Sequence, residues 1–411
     1  MPYVRLVGCQ GSVQLATALA ALETHSQSMR PKTDARNFLL VHHLSTPAGQ
    51  DADFANCIGE LASRSVKWDG IHYLDPPGSK RLLNIWRRQG RDAACAALRE
   101  LIGVEHVDEL HLGQNINFEH RLLADAFPQA KRIACGDGIG VNFTRGYFAL
   151  NAGSTNAAAA RTWRLWWREL RTRLKLRKPA IAEQDPMAAV KPDYRYLLLP
   201  NLFDEIETNY RLIPREMLAK VFAQFAEHPQ LEKSRDVADA AAAIRAAQRA
   251  VVILPSNFSE TKRMELEAEI QCYSELVREA APPQNTAVII KPHPRDSHEK
   301  ILALRQSLEK SYASVTVLGD EITFYAPFES IVTYYLRTIP NFLEKTTTIC
   351  VSSSCLGLAY LYGARTIMGI GEARVNQHFA PQWRELRLRH ERDLIAALEH
   401  VHRLRASNVA A

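Results

Sequence analysis

The stretch TAVIIKPHP, residues 286–294, decides the fold class. It begins as a short apolar run, which predicts a β-strand, and its prolines restrict the backbone where the strand ends. Segments with helical periodicity separate this strand from further apolar runs, and such alternation of strand and helix predicts a parallel sheet. The strands predicted in this half of the chain are residues 251–254, 287–291, 315–318, 348–351 and 366–370.

The same alternation occurs earlier in the chain. Apolar runs at residues 3–7, 38–41, 109–112 and 132–135 predict four strands with helical stretches between them. A chain of 411 residues is too long for a typical single core and suits two domains. We therefore predict an α/β protein with two doubly wound, Rossmann-like domains.

The segment RTWRLWWRELRTRLKLRK, residues 161–178, does not follow the alternation of apolar strands and helices. This segment and the polar, Pro-containing stretch after it mark the predicted domain boundary. We place an N-terminal domain at residues 1–185 and a C-terminal domain at residues 193–411. Residues 390–404 predict an amphipathic helix, and in two-domain folds of this kind a terminal helix often packs back across the cleft.

The segment 161–178 is amphipathic and basic. Two interpretations stay open: its tryptophans pack on the first domain while its arginines are solvated, or the helix contacts an anionic membrane or a polyanionic substrate. On a helix, one face holds Trp163, Trp166, Trp167, Leu170 and Leu174, and another holds Arg164, Arg168, Arg171 and Lys175.

Composition narrows the class of protein. The chain is 46% hydrophobic and 23% charged, as in globular proteins, and its net charge of +6 favours acidic ligands without implying nucleic acid. No run reaches the roughly 18 to 20 apolar residues that span a bilayer, and the N-terminus lacks the layout of a signal peptide. The seven scattered cysteines include no C-x-x-C pair, which argues against disulfides or zinc and favours the cytoplasm.

Two motifs in the second half suggest an anion site. Lys291, His293 and Pro294 follow a predicted strand, where ligands of open α/β sheets bind, so His293 and Lys291 could meet the charge of a departing phosphate. A histidine that caps a turn is the structural alternative. The hydroxyls of Ser352, Ser353 and Ser354 precede a predicted helix and could bind an anion, although ordinary N-capping by serine is the alternative.

A third motif, Gly136-Asp137-Gly138-Ile139-Gly140, follows the strand KRIAC in the first half. Gly136 and Gly138 permit close approach of a substrate, and Asp137 could act as a general base toward a sugar hydroxyl. A plain Asp-Gly turn is the alternative. The motif fails the dinucleotide fingerprint, and the chain has no G-x-x-x-x-G-K-[ST] loop. We assign no metal site.

In this order, GDG, KPHP and SSS resemble the three signature motifs of bacterial sialyltransferases, with the polysialyltransferases as the nearest group. Further similar stretches are AFPQAKRIACGDGIG, VVILPSNFSE and APFESI. The resemblance implies a GT-B fold, in which two Rossmann-like domains face each other across a cleft. It also implies a cytoplasmic enzyme of surface-polysaccharide synthesis, in peripheral contact with the inner face of the membrane.

The resemblance implies a reaction as well. A CMP-activated acidic sugar would be the donor and a glycan hydroxyl the acceptor, with inversion and with no metal or other cofactor. Asp137 would take the acceptor proton, while His293 and the serines Ser352, Ser353 and Ser354 would bind the CMP phosphate. Glu329 could accept hydrogen bonds from the ribose hydroxyls.

One position departs from the family pattern. Family members often carry an acidic residue where this chain has Gly136, so Asp137 or another group, with Glu119 and His120 as candidates, must take the proton. Three alternatives stay open. The same fold could act on CMP-Kdo, another nonulosonic acid or a UDP-sugar. Gly136 also motivates a catalytically degenerate saccharide-binding relative, and the Trp/Arg helix motivates a membrane-surface scaffold.

Overall fold

The computed structural model describes residues 2–28, 35–44, 46, 49–113, 117–135, 192–199 and 210–409. The predicted motif Gly136, Asp137 and Gly138 and the basic segment 161–178 lie outside these ranges.

Within the described residues, the first sheet has seven parallel strands in the order β3-β2-β1-β4-β5-β6-β7. Its central strands are nearly continuous apolar runs, as expected for strands covered on both faces. The strands are β1 (Tyr3–Cys9), β2 (Ala35–His42), β3 (Gly70–Leu74), β4 (Glu109–Gly113), β5 (Lys131–Cys135), β6 (Tyr194–Leu197) and β7 (Tyr210–Leu212).

The last two of these strands extend the first half beyond the predicted division. Ile133 pairs with Tyr194, and Arg195 pairs with Tyr210, so β6 and β7 continue the first sheet. The sequence prediction assigned residues from 193 onward to the second domain. It missed both strands because runs of four and three residues, each with a central arginine, carry little strand periodicity.

The second sheet has five parallel strands in the order β10-β9-β8-β11-β12. The two sheets thus share a doubly wound arrangement, and the predicted α/β fold class is confirmed. The strands are β8 (Arg249–Leu254), β9 (Thr286–Ile290), β10 (Ser314–Val317), β11 (Thr346–Cys350) and β12 (Arg365–Met368).

Helices cover the faces of both sheets. In the first half the described helices are α1 (Ser12–Ser28), α2 (Asp51–Ala62), α3 (Pro76–Gln89), α4 (Arg91–Ile102) and α5 (Phe118–Ala126). After β7 come α6 (Arg215–Ala226), α7 (Pro229–Lys233), α8 (Arg235–Ala246), α9 (Leu266–Ala280), α10 (His298–Glu309), α11 (Glu321–Tyr325), α12 (Phe328–Thr338), α13 (Phe342–Lys345), α14 (Ser354–Tyr362), α15 (Glu372–His378) and α16 (Pro381–Val409).

The long helix α16 contains the predicted terminal helix 390–404. It packs on α14, α15 and β12, and Leu394, Ala397 and Val401 enter the core of the second half. Gly363 ends α14 with a left-handed φ of 71°. This left-handed φ favours glycine, and an added Cβ would also displace the Arg405 side chain of α16, whose Nε would lie 2.7 Å away.

The two halves contact each other through the segment around Tyr325. The Tyr325 ring stacks on Phe54 of the first half with centroids 4.9 Å apart, and its carbonyl oxygen accepts a 2.6 Å hydrogen bond from Ser12 Oγ. Helix α6 packs against both α1 and α12. One apolar cluster therefore includes residues from both halves.

No helix in the part of the chain that the structure describes is both long enough and apolar enough to span a bilayer. All seven cysteines are buried and free of disulfides.

Candidate active site

A cavity of about 570 Å³ lies between the two halves. It is bordered by residues that follow the carboxyl ends of strands in both sheets, where open α/β sheets bind ligands. From the first half come Gln10, Gly11 and Ser12 after β1, His43 after β2, and Asn117 before α5. From the second half come Pro255 after β8, Lys291, Pro292, His293, Pro294 and Arg295 after β9, and Ser352, Ser353 and Ser354 after β11.

Lys291 is a buried cation at the end of β9. Its Nζ donates to the carbonyl oxygens of Pro292, at 2.8 Å, and Phe324, at 2.9 Å. Burial lowers the pKa of Lys291 to about 8. An ammonium group has three donors, so the two backbone bonds fix the loop around it and leave one donor for a ligand.

His293 is held in one tautomer by its own loop. Its Nδ1 accepts a 3.1 Å hydrogen bond from the backbone N–H of Arg295. Burial, with the positive charges of Arg295 and Lys291, lowers the pKa of His293 to about 3. A neutral imidazole with Nδ1 as acceptor carries its proton on Nε2. His293 is therefore a hydrogen-bond donor toward the cavity.

A buried ionic cluster that the sequence analysis missed supports this loop. Asp296 Oδ2 accepts the backbone N–H of His293 at 2.7 Å, and its Oδ1 lies 2.6 Å from Nζ of Lys300. Lys300, only 1% exposed at its side chain, also reaches Glu260 at 3.0 Å and Glu269 at 3.4 Å. The sequence indicates only part of this cluster, because Asp296 and Lys300 are four residues apart, the spacing of an ion pair on a helix. Glu260 and Glu269 are distant from Lys300 in sequence, so no local pattern predicts their contacts.

Ser352 and Ser353 lie in the turn between β11 and α14, and Ser354 is the first residue of α14. Ser353 is the N-cap of α14, but its side chain makes no capping hydrogen bond. Ser352 Oγ donates to Ser354 Oγ at 3.3 Å. The helix N-terminus adds free backbone N–H groups and the positive end of the helix dipole. The Ser353 hydroxyl is not used in capping α14.

Glu329 lies in the first turn of α12 and is buried beside the cavity. Burial raises the pKa of Glu329 to about 7, while the positive charge of Lys291 acts in the opposite direction. The backbone oxygen of Glu329 accepts hydrogen bonds from Thr333 and Tyr362. These bonds anchor the start of α12, so the carboxyl group is held at the cavity wall.

The predicted site residues fall into two groups. Lys291, His293, Pro294, Glu329, Ser352, Ser353 and Ser354 all line this one cavity. Gly136, Asp137 and Gly138 lie outside the described residues, and the last residue described before them is Cys135, at the carboxyl end of β5.

The two other candidates for the acceptor proton lie behind the cavity wall. Glu119 is buried and faces His43, with Oε2 3.7 Å from Nδ1. His120 is fully buried against His42, at a ring-centroid distance of 4.8 Å. Asp51 and Asp53, a D-x-D triplet with Ala52, lie in the first turn of α2. No cluster of three or more His, Cys, Asp or Glu among the described residues could hold a metal ion.

Comparison with known families supports the family that the sequence resembles. The sequence model of the alpha-2,8-polysialyltransferase family matches residues 103–334, which is more than half of the chain. The chain belongs to this family. This polysialyltransferase-family protein is a glycosyltransferase of the sialyltransferase type, with a sugar nucleotide as donor and a glycan as acceptor. None of the curated proteins compared with it matches.

Solved structures of similar shape include sugar-nucleotide enzymes. A UDP-GlcNAc 2-epimerase of Methanocaldococcus jannaschii in complex with UDP-GlcNAc and UDP has a TM-score of 0.47 at 11% identity, covering 98% of this chain and 93% of that one. The UDP-GlcNAc 2-epimerase of Neisseria meningitidis bound to UDP-GlcNAc has a TM-score of 0.45 at 10% identity, covering 98% and 93%. An Escherichia coli heptosyltransferase has a TM-score of 0.37 at 12% identity, covering 89% and 88%.

Proposed function

We propose that this protein transfers a sialic acid or related nonulosonic acid from a CMP-sugar to a hydroxyl of a glycan, with inversion at the anomeric carbon and without a metal ion. The observation that carries the proposal is the convergence of Lys291, His293, Glu329 and the serines 352–354 on one cavity between the halves.

The second half suits an anionic leaving group. The Nε2–H of His293, the third donor of Lys291 and the hydroxyl of Ser353 are fixed donors around one space. Arg295 adds a guanidinium group to the same wall. Donors placed before the reaction stabilise charge that develops in the transition state, because they need no reorganisation. The CMP phosphate is the group on which that charge develops.

Glu329 suits the ribose of the nucleotide. An ionised carboxylate accepts hydrogen bonds from two neighbouring hydroxyl groups. Burial holds the pKa of Glu329 near neutrality, at about 7, so binding of the ribose diol would favour the ionised form. The CMP donor therefore has a recognition group at each end, for the ribose and for the phosphate.

The reaction in this proposal is a single displacement. The acceptor oxygen forms a bond to the anomeric carbon while the bond from that carbon to the phosphate oxygen breaks, and the electron pair leaves with CMP. Inversion follows because nucleophile and leaving group are on opposite faces. A base on the acceptor side takes the hydroxyl proton, and Asp137 is the candidate that the motif supplies.

The experiment is a comparison of donors with the purified full chain. CMP, UMP and ADP would first be tested for a rise in melting temperature, since a ligand that binds only the folded state stabilises it. Nucleotide release with a glycan acceptor would then be measured for CMP-Neu5Ac, CMP-Kdo and a UDP-sugar, with and without EDTA. We expect CMP binding and EDTA-resistant turnover of CMP-Neu5Ac.

Other results would overturn parts of the proposal. Turnover of CMP-Kdo or a UDP-sugar alone would change the donor, and EDTA-sensitive turnover would end the metal-independent mechanism. CMP binding without turnover would indicate a degenerate saccharide-binding protein. His293→Ala should lower turnover roughly 10²- to 10⁴-fold if His293 assists the leaving group; near-normal turnover would remove that role.

Peripheral membrane contact of a cytoplasmic enzyme of surface-polysaccharide synthesis remains part of the proposal. It is motivated by the Trp/Arg pattern of residues 161–178. Sedimentation with vesicles that contain anionic lipid tests it, and replacement of Arg164, Arg168 and Arg171 by Gln should abolish the salt-sensitive part of the binding. Equal sedimentation with neutral vesicles would contradict an electrostatic contact.

A further inference from the structure

His43 lines the cavity and has an unusual backbone conformation. It directly follows β2 and has a φ of 49°, in the left-handed region. A residue with a side chain rarely adopts this conformation unless the surrounding structure imposes it, and such residues are concentrated at functional sites. Its side chain is 58% exposed, on the wall that the first half contributes to the cavity.

A buried carboxylate stands behind this imidazole. Glu119 Oε2 lies 3.7 Å from Nδ1 of His43, and the Glu119 side chain is only 6% exposed. The other oxygen of Glu119 accepts a hydrogen bond from Ser79 Oγ. Glu119 belongs to the first turn of α5, whose N-cap Asn117 accepts the backbone N–H of His120 at 2.9 Å. The carboxylate is thus held by two elements of the first half.

This arrangement favours one tautomer through electrostatic attraction, because Glu119 Oε2 lies 3.7 Å from His43 Nδ1, beyond hydrogen-bond distance. A carboxylate at Nδ1 favours the imidazole with its proton on Nδ1, which leaves the lone pair on Nε2. Among the described residues, none forms a hydrogen bond with His43 Nε2. A base whose second nitrogen is oriented by a carboxylate is the arrangement that activates hydroxyl nucleophiles.

The two cavity histidines therefore offer opposite groups. His293 presents an Nε2–H donor, because its Nδ1 accepts the Arg295 amide, whereas His43 presents an acceptor, because Glu119 faces its Nδ1. A displacement needs both: a donor beside the leaving group and an acceptor beside the nucleophile. They lie on the walls contributed by different halves of the protein.

We propose that His43, positioned by Glu119, is the general base of the transfer; this inference rests on the proposed function. The acceptor hydroxyl gives its proton to His43 Nε2 while its oxygen bonds to the anomeric carbon and CMP departs with the electron pair of the broken bond. Glu119 stabilises the resulting imidazolium through Nδ1–H, and the proton then passes to solvent. In this assignment His43 takes the place of Asp137 as the base.

The variant His43→Gly tests the proton transfer by chemical rescue. Glycine adopts a φ of about 50° without strain and leaves room for free imidazole. We expect kcat to fall roughly 10²- to 10⁴-fold and to recover partly when imidazole is added, with the rise in melting temperature on CMP binding unchanged. His43→Asn, which also tolerates the left-handed region, should lose the same activity.

His106 provides a matched control. It is 53% exposed at its side chain and lies 3.2 Å from Asp108, but it does not line the cavity. His106→Ala should keep wild-type kcat and show no response to imidazole.

Glu119→Gln tests the positioning. The Gln amide can donate to Nδ1 and so favours the tautomer that cannot accept at Nε2. We expect a lower kcat with an unchanged KM for the donor, and no rescue by imidazole.

Three results would overturn the assignment. The first is a kcat within about threefold of wild type in both His43 variants. The second is a loss of kcat in His43→Gly that added imidazole does not restore. The third is rescue of Asp137→Ala by added formate while His43→Gly is fully active. The proposed function fails separately, when the wild-type protein itself releases no CMP from any CMP-nonulosonate with a glycan acceptor present.

Discussion

Lys300→Met removes the cation from the buried cluster under the His293 loop. The ammonium group lies 2.6 Å from Asp296, 3.4 Å from Glu269 and 3.0 Å from Glu260, and donates to the Ser256 carbonyl at 2.7 Å. Methionine has a similar length but cannot donate, so the variant keeps the packing and leaves the carboxylates without their counter-ion.

The structure sets the expected magnitude. Asp296 and Glu269 are 0% and 1% exposed at their side chains, whereas Glu260 is 22% exposed and partly screened by water. Removal of one partner from a buried ion pair costs about 3 to 5 kcal/mol. We expect a loss of this size at pH 7, a large part of the roughly 5 to 15 kcal/mol that stabilises a typical protein.

The loss should depend on pH. Burial raises the pKa of Asp296 and Glu269 while the Lys300 charge counters it, so removing that charge raises both pKa values further. A carboxyl group whose pKa is raised by folding stabilises the protein below its unfolded pKa and loses that contribution as pH rises. The deficit of Lys300→Met should therefore shrink as pH falls from 7 toward 5.

Urea unfolding of wild type and variant at pH 7, 6 and 5 measures these differences. Lys310→Met is the control, because Lys310 is exposed and follows the same helix, α10, so its effect should stay within about 0.5 kcal/mol. A loss below about 1 kcal/mol for Lys300→Met, or a deficit that grows as pH falls, would refute the reasoning. CMP binding should weaken as well, since Asp296 holds the His293 backbone.

Three further predictions concern the cavity. Because the pKa of Glu329 is raised to about 7, protonation of Glu329 should stabilise the wild-type protein by about 3 kcal/mol as pH falls from 7 to below 4.5, and Glu329→Gln should abolish this gain. Urea unfolding of both proteins across this range measures the difference in their free energies of unfolding. A difference that does not change with pH contradicts the prediction. Ser353→Ala should weaken CMP binding about tenfold or more, which is the effect of losing one hydrogen bond to a charged group. Its melting temperature without ligand should be unchanged, because the Ser353 hydroxyl makes no capping hydrogen bond. Calorimetric titration measures the affinity for CMP, and an unchanged affinity would contradict a hydrogen bond between Ser353 and the phosphate. Tyr325→Ala should destabilise the protein by about 3 kcal/mol and raise KM for the donor, because the stack on Phe54 is lost. Tyr325→Phe keeps the stacked ring and should cost less than about 1.5 kcal/mol. Equal effects of the two variants would contradict a role for the stacked ring.

Much of the fold was predictable from the sequence, for a physical reason. Strands covered on both faces of a parallel sheet are nearly continuous apolar runs, and β8 and β9 are such runs. Strand β3 and strands β6 and β7 were missed because they are short and hold polar residues. Among the described strands, Gly70–Leu74 lies at the edge of its sheet and pairs on one side only, and its apolar pattern is weak.

The candidate site was predictable where polar residues directly follow a predicted strand. Lys291, His293 and the three serines stand at such ends, and parallel strands bring their carboxyl ends to one edge of the sheet. Asp296, Lys300, Glu260 and Glu269 were not predicted as a cluster, because their contacts join residues up to 40 positions apart. His43 was missed although it lies two residues beyond the predicted strand 38–41, since only its φ and its contact with Glu119 distinguish it from other surface histidines.

The contacts between the halves couple the two sides of the reaction. Lys291 donates to the carbonyl oxygen of Phe324, and the next residue, Tyr325, accepts a hydrogen bond from Ser12 and stacks on Phe54 of the first half. A movement of the halves that breaks the Tyr325 contacts would therefore also disturb a bond that positions Lys291. Since His43 and His293 stand on walls from different halves, the proposed mechanism requires these contacts to hold both histidines beside one anomeric carbon. In the proposed mechanism, donor binding and acceptor activation should consequently respond together to changes at Tyr325.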